Sequence, residues 1–140
     1  KEWTLAAEGP KMHPLPYGNG FNRQRLCNFD NRNPGIDVFQ SKKPDDETSA
    51  KLRNLLVPSG SMTDCVSDFG VHDMSGNIDE WVLNESSQDM CINKTSGNCR
   101  TGLMGGHIWH VRNASRPMTT AHGAGFGWYE TGARACKDIE

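Results

Sequence analysis

Glycine and proline punctuate this chain so often that few long regular elements can form. There are 15 glycines and 7 prolines among 140 residues. Both residues interrupt helices and strands, so the reading is short elements joined by long loops. The length suits one domain. Only 35% of residues are hydrophobic, which allows a small core and leaves loops to be held by disulfides or a metal. A formal charge of −2 argues against bulk attraction to nucleic acid or to an anionic membrane. No apolar run approaches the ~20 residues of a membrane span.

Along the chain, "KEWTLAAE" (1–8) has helix-forming composition and "GP" at 9–10 ends it. Residues 28–50 read as a long irregular loop, and "SAKLRNLL" (49–56) as one or two helical turns stopped by "PSG". From Ile78 the alternation predicts a strand with Ile78, Glu80 and Val82 on one face and Asp79, Trp81 and Leu83 on the other. "GLMGGHIWHVRNASRP" predicts a second strand and "YETGARACKD" a third.

The chemistry concentrates in "HDMSGNIDEW" (72–81), where Asp73, Asp79 and Glu80 surround a Ser-Gly-Asn turn. Such a turn folds the chain back so that carbonyls can face inward beside carboxylates, the mixture of oxygens that calcium takes. The strand alternation leaves Asp79 facing away, as a solvated or arginine-paired charge. The loop is not an EF-hand, because the glycine stands fourth and no glutamate stands twelfth. A plain charged turn is the alternative. Cysteines number five, with no zinc-type spacing. Cys91 and Cys99 bracket a polar loop, and a disulfide there implies an oxidising compartment. Unpaired buried thiols are the alternative.

Six stretches, in order, carry a resemblance. "EWTLAAEG", "PYGN", "FGVHDMSGNIDEWV", "MGGHIW", "RNASRP" and "GARAC" are similar to the motifs of the formylglycine-generating enzyme (sulfatase-modifying factor) family. The resemblance implies an α+β chain of low regular secondary structure, the family's variant of the C-type-lectin fold, with a small antiparallel sheet, long loops and bound calcium. It assigns the calcium ligands to an Asp73 side-chain oxygen, the Gly76 and Ile78 backbone oxygens and the Glu80 carboxylate. A second calcium site would use Asn28 and the Phe29 carbonyl, its remaining carboxylate unplaced among Asp37, Asp45 and Asp46. The family domain also has a portion preceding the EW motif. The expectation is therefore a C-terminal part, residues 1–140, of a domain whose N-terminal part is a partner, in the same or a separate chain.

The family's oxidases use a cysteine pair after the GGSW-type motif to bind copper(I), which soft thiolates suit. Here "HIWHVRNASRP" follows Gly105-Gly106 and has no cysteine. Copper and that oxidase chemistry are not expected. Could His107, His110 and His122 replace the thiolates in a copper or iron site? Positions three apart on one strand face opposite ways, which argues against it. Arg112, Arg116 and Arg134 match the family's R-x-x-x-R and GFR arginines. They are either ligand contacts or forked clamps on loop carbonyls and carboxylates. Trp81 reads as core, and "FGWY" (126–129), with Trp128, as an exposed contact surface. The expected pairs are Cys91–Cys99 and Cys27–Cys65, leaving Cys136 unpaired or bonded to the missing segment; the family's usual partner for it, near R-x-x-x-R, has no counterpart in "RNASRP". The leading reading is an exported, extracellular or periplasmic, calcium-stabilised lectin-like scaffold for a protein or surface ligand. The rival is a copper or iron oxidoreductase of the formylglycine-generating type with a substituted or trans-completed site.

Overall fold

The computed structural model describes residues 1–20, 26–29, 46–87, 99–108, 110–111, 120, 122–127 and 130–135. Helix α1 spans Glu2–Glu8 and ends at Gly9, whose positive φ of 65° favours glycine. A side chain there would also meet Asp68, whose Cβ lies 2.9 Å from the place of the added atom. Helix α2 spans Asp46–Arg53, three residues earlier than the pattern predicts at both ends. Lys51 and Arg53 stand in its last turn, which suits the helix dipole. Residues 54–56 continue only as tight turns.

Three strands make the main sheet: β1 (Asp79–Leu83), β2 (Thr101–Met104) and β5 (Thr131–Gly132), in the order β2-β1-β5. β1 runs antiparallel to β2, with Glu80 opposite Met104, and parallel to β5, with Asp79 opposite Thr131. The sheet is therefore mixed, where an antiparallel one was expected. The second predicted strand is broken at Gly105 and Gly106, both at positive φ. Beyond the break, β3 (Gly106–His107) and β4 (His110–Val111) form a separate hairpin. The third strand is only two residues long.

Among the described residues, two small clusters of the core are defined, beside further buried side chains such as Leu52, Leu103 and Ile108. One joins Ala7 of α1 to Met74, with Trp3, Ala6 and Val71 around them. The other joins Cys27, Phe29 and Cys65, with Tyr17 and Met62 against them. Trp81 is half-buried instead of core.

Candidate functional site

The 72–81 stretch gives Met74 to the first cluster, and its Gly76 lies against Asn28 and Phe29 at the second. Asp73, Gly76 and Asn77 all take positive φ, at 60°, 79° and 63°. Gly76 is constrained twice, because an added Cβ would lie 2.6 Å from the Asn28 carbonyl oxygen. The Asn77 backbone donates to that same oxygen at 2.7 Å. The Asn77 side chain accepts from the Asn28 amide (2.8 Å) and the Val57 N–H (3.0 Å), and donates to the Val57 carbonyl (3.1 Å). The Asn28 amide also donates to the Leu55 carbonyl at 2.9 Å. Asn28 and Asn77 thus cross-link three loop segments.

Each carboxylate of the loop already has partners. Asp73 Oδ2 accepts from the Gly60 N–H at 2.6 Å and from the Ser59 hydroxyl at 3.4 Å. Asp79 is not the outward, solvated charge that the alternation allows. It is 2% exposed, and its Oδ1 accepts from the Gly106 N–H at 3.0 Å. The alternation fails at the start of β1, where Asp79 and Glu80 are both buried, while Leu83 at its end is exposed. Glu80 is 5% exposed. Its Oε2 accepts from the Trp3 indole at 2.6 Å, and the Arg134 guanidinium forks onto both oxygens at 2.7–3.1 Å. Arg134 also donates to the His72 carbonyl at 2.9 Å. Arg134 is therefore a clamp on a carbonyl and a carboxylate.

This arrangement does not fit calcium at Glu80 as it stands. A cation there would sit against the guanidinium that occupies both carboxylate oxygens. Asp73 and Glu80 also serve different neighbours. Asn28 is the loop cross-link just described, and Phe29 packs in the cysteine cluster. Among the described side chains, no group of three His, Cys, Asp or Glu residues converges as a metal cluster.

Cys27 and Cys65 form a disulfide, as expected. Cys99 is also disulfide-bonded. Its expected partner Cys91, like Cys136, Arg112, Arg116 and Trp128, lies outside the described residues. Phe126 is half-buried and stacks on His122 with ring centroids 3.8 Å apart. Asn84, in an N-x-S sequon, is 8% exposed and donates its amide to the Cys99 carbonyl at 2.8 Å.

His107 and His110 do not lie on one strand. They are opposite partners in the register of the antiparallel β3–β4 pair. The objection to joint ligation, drawn from a single continuous strand, therefore lapses. His107 Nδ1 also stands 3.5 Å from Glu130 Oε2.

One open pocket, of about 400 Å³, is lined by His13, Pro16, Tyr17, Leu26, Asp64, Val66 and Asp68. Sequence reasoning passed over it, reading "HPLPYGNG" only as a turn. Within that stretch the imidazole of His13 bonds Asn19 Oδ1 at 2.9 Å. Asp68 pairs with Lys11 at 3.2 Å. Burial raises the Tyr17 phenol above its ordinary value.

A family model described as "Sulfatase-modifying factor enzyme 1-like domain" matches residues 1–139. No curated protein and no solved structure matches the chain.

Proposed function

The chain belongs to the sulfatase-modifying factor enzyme 1-like domain family, and from that premise we propose that it is a non-oxidase binding module of an exported protein. It presents loops from a lectin-like scaffold to a protein or surface ligand. The observation that carries this reading is the clamp of Trp3 and Arg134 on Glu80. Family-motif residues that could have served a ligand are used to hold the frame together. The segment after Gly105-Gly106 lacks thiols, so the copper(I) chemistry of the family's oxidases has no soft donors there. The pocket at Tyr17 gives the module a concave face with polar and apolar walls. The Cys27–Cys65 disulfide favours an extracellular or periplasmic setting. No helix among the described residues is long and apolar enough to cross a membrane.

The test is oxygen uptake by the full chain with copper(I) and a cysteine-containing peptide, followed by mass spectrometry of the peptide. No oxygen consumption and an unchanged cysteine are expected. Catalytic conversion of the cysteine to an aldehyde would overturn the proposal. The rival, a copper or iron oxidoreductase with a substituted site, draws its support from the backbone register that sets His107 opposite His110 in the β3–β4 pair.

A further inference from the structure

We propose that the pocket lined by His13, Tyr17, Asp64 and Asp68 binds a lysine side chain presented by a protein partner. The inference deepens the binding-module reading and rests on it, naming the chemistry that the module's concave face takes. Four observations converge on it.

The first is charge. Asp64 and Asp68 line the pocket, and among the described residues no lysine or arginine does. Asp64 is exposed and is engaged in no ion pair with a described residue. Carboxylates around a cavity raise the local concentration of cations.

The second is a pair of acceptors. His13 Nδ1 donates to Asn19 Oδ1 at 2.9 Å, because an amide oxygen only accepts. In the neutral ring Nε2 then carries a lone pair, and it stands 3.8 Å from Asp68 Oδ2. Two acceptors so placed call for one shared donor. An ammonium nitrogen, whose charge-assisted bonds run about 2.7–2.9 Å, can reach both at once and keeps a third N–H.

The third is a precedent within the chain. The Lys11 ammonium lies 3.2 Å from Asp68 Oδ2, so this carboxylate already takes an ammonium. The Lys11 side chain is 69% exposed, and so open a bridge is weak enough to yield to a competitor.

The fourth is the wall and its rim. Leu26, Val66 and the Tyr17 ring give apolar surface to a lysine stem, and an aromatic face attracts its ammonium. The Tyr17 hydroxyl has no hydrogen-bond partner among the described residues. The volume, about 400 Å³, falls within the range of small-ligand sites. Met12, next to His13, is 76% exposed, and Phe69, next to Asp68, is 54% exposed. Large apolar side chains beside two pocket residues suit contact with a protein more than with a free amine.

The experiment titrates the full chain with a blocked pentapeptide whose central lysine is flanked by leucines. Its Nε-acetylated form and a single blocked lysine are the comparisons. Calorimetry gives the affinity, and magnetic resonance follows the His13 and Tyr17 rings, at mildly alkaline pH where an ordinary imidazole is neutral. The lysine peptide should shift both rings, and the acetylated peptide should bind at least about 10-fold more weakly, having lost the charge. Asp64→Asn and Asp68→Asn should each weaken binding about 5- to 10-fold. Glu85→Gln, whose carboxylate pairs with Lys1, should leave it unchanged. Circular dichroism establishes that each variant is folded; if one is not, the acetylated peptide on the wild type decides. Equal binding of the acetylated peptide, unmoved rings, or binding that survives both aspartate substitutions overturns the pocket. Equal affinity for the single lysine and the peptide overturns the protein partner. Peptide oxidation in the oxygen assay would sink the binding-module reading by its own readout, and absent lysine binding without oxidation would sink this inference alone.

Discussion

Glu80→Gln tests the clamp most directly. The substitution keeps the shape and removes the charge. In the native protein the carboxylate accepts from the Trp3 indole at 2.6 Å and from Arg134 at 2.7, 3.0 and 3.1 Å. A glutamine has one acceptor oxygen, so its NH₂ must face a donor. Removing one partner of a buried pair costs about 3–5 kcal/mol. Here the Glu80 side chain is 7% exposed and Arg134 is 27% exposed, so the guanidinium regains some water. It also keeps its bond to the His72 carbonyl. The loss therefore falls near the lower figure, about 3 kcal/mol. At about 2.1 cal/mol/K of unfolding entropy per residue, that lowers the melting temperature by about 10 °C. It shifts the urea midpoint by about 1.5 M for a slope near 2 kcal/mol/M. A double-mutant cycle with Arg134→Gln should show coupling above about 1 kcal/mol. Each melt is run in EDTA and again in calcium. The clamp predicts the same gap between wild type and variant in both buffers. If EDTA alone drops the wild type by as much as the substitution does, and the variant ignores EDTA, Glu80 is a calcium ligand and the clamp reasoning is wrong.

Replacing Cys27 and Cys65 together by serine opens a loop with a sequence separation of 38. The chain-entropy treatment puts the loss at about 4 kcal/mol, a fall of more than about 10 °C in melting temperature; a fall of only a degree or two would refute it. Tyr17 gives a pH dependence. Its folded pKa lies above the ordinary 10.0 because burial disfavours the phenolate. Its contribution is therefore complete below pH 10.0 and is lost as pH rises through the folded value. Tyr17→Phe should move alkaline unfolding to higher pH, as followed by circular dichroism, and an unchanged alkaline limb would count against the burial argument.

Local signals were legible where one short stretch decides its own structure. The opening helix and its stop at Gly9-Pro10 follow from composition, and the Cys27–Cys65 pair is present as expected. The family was legible because six motifs occur in order. The failures are tertiary. Asp79 looks like an outward charge until the N–H of Gly106, 27 residues on, is brought to it. Glu80 looks like an open ligand until Arg134 arrives from 54 residues away. His107 and His110 look like opposite faces of one strand until they are found on two paired strands. Periodicity carries no information about such distant arrivals.

Trp3 and Arg134 reach Glu80 from sequence separations of 77 and 54. The two sides of one carboxylate are thus satisfied by opposite ends of the described chain. This sets an order of events during synthesis. In a growing chain Trp3 precedes Glu80, and the guanidinium and β5, which pairs with β1, follow both. Until then the buried carboxylate lacks its counter-charge and β1 has an open edge. Such an intermediate invites edge-to-edge pairing with other chains. Completion is accordingly a long-range closure, slow by topology, in which Arg134 and β5 seal the centre.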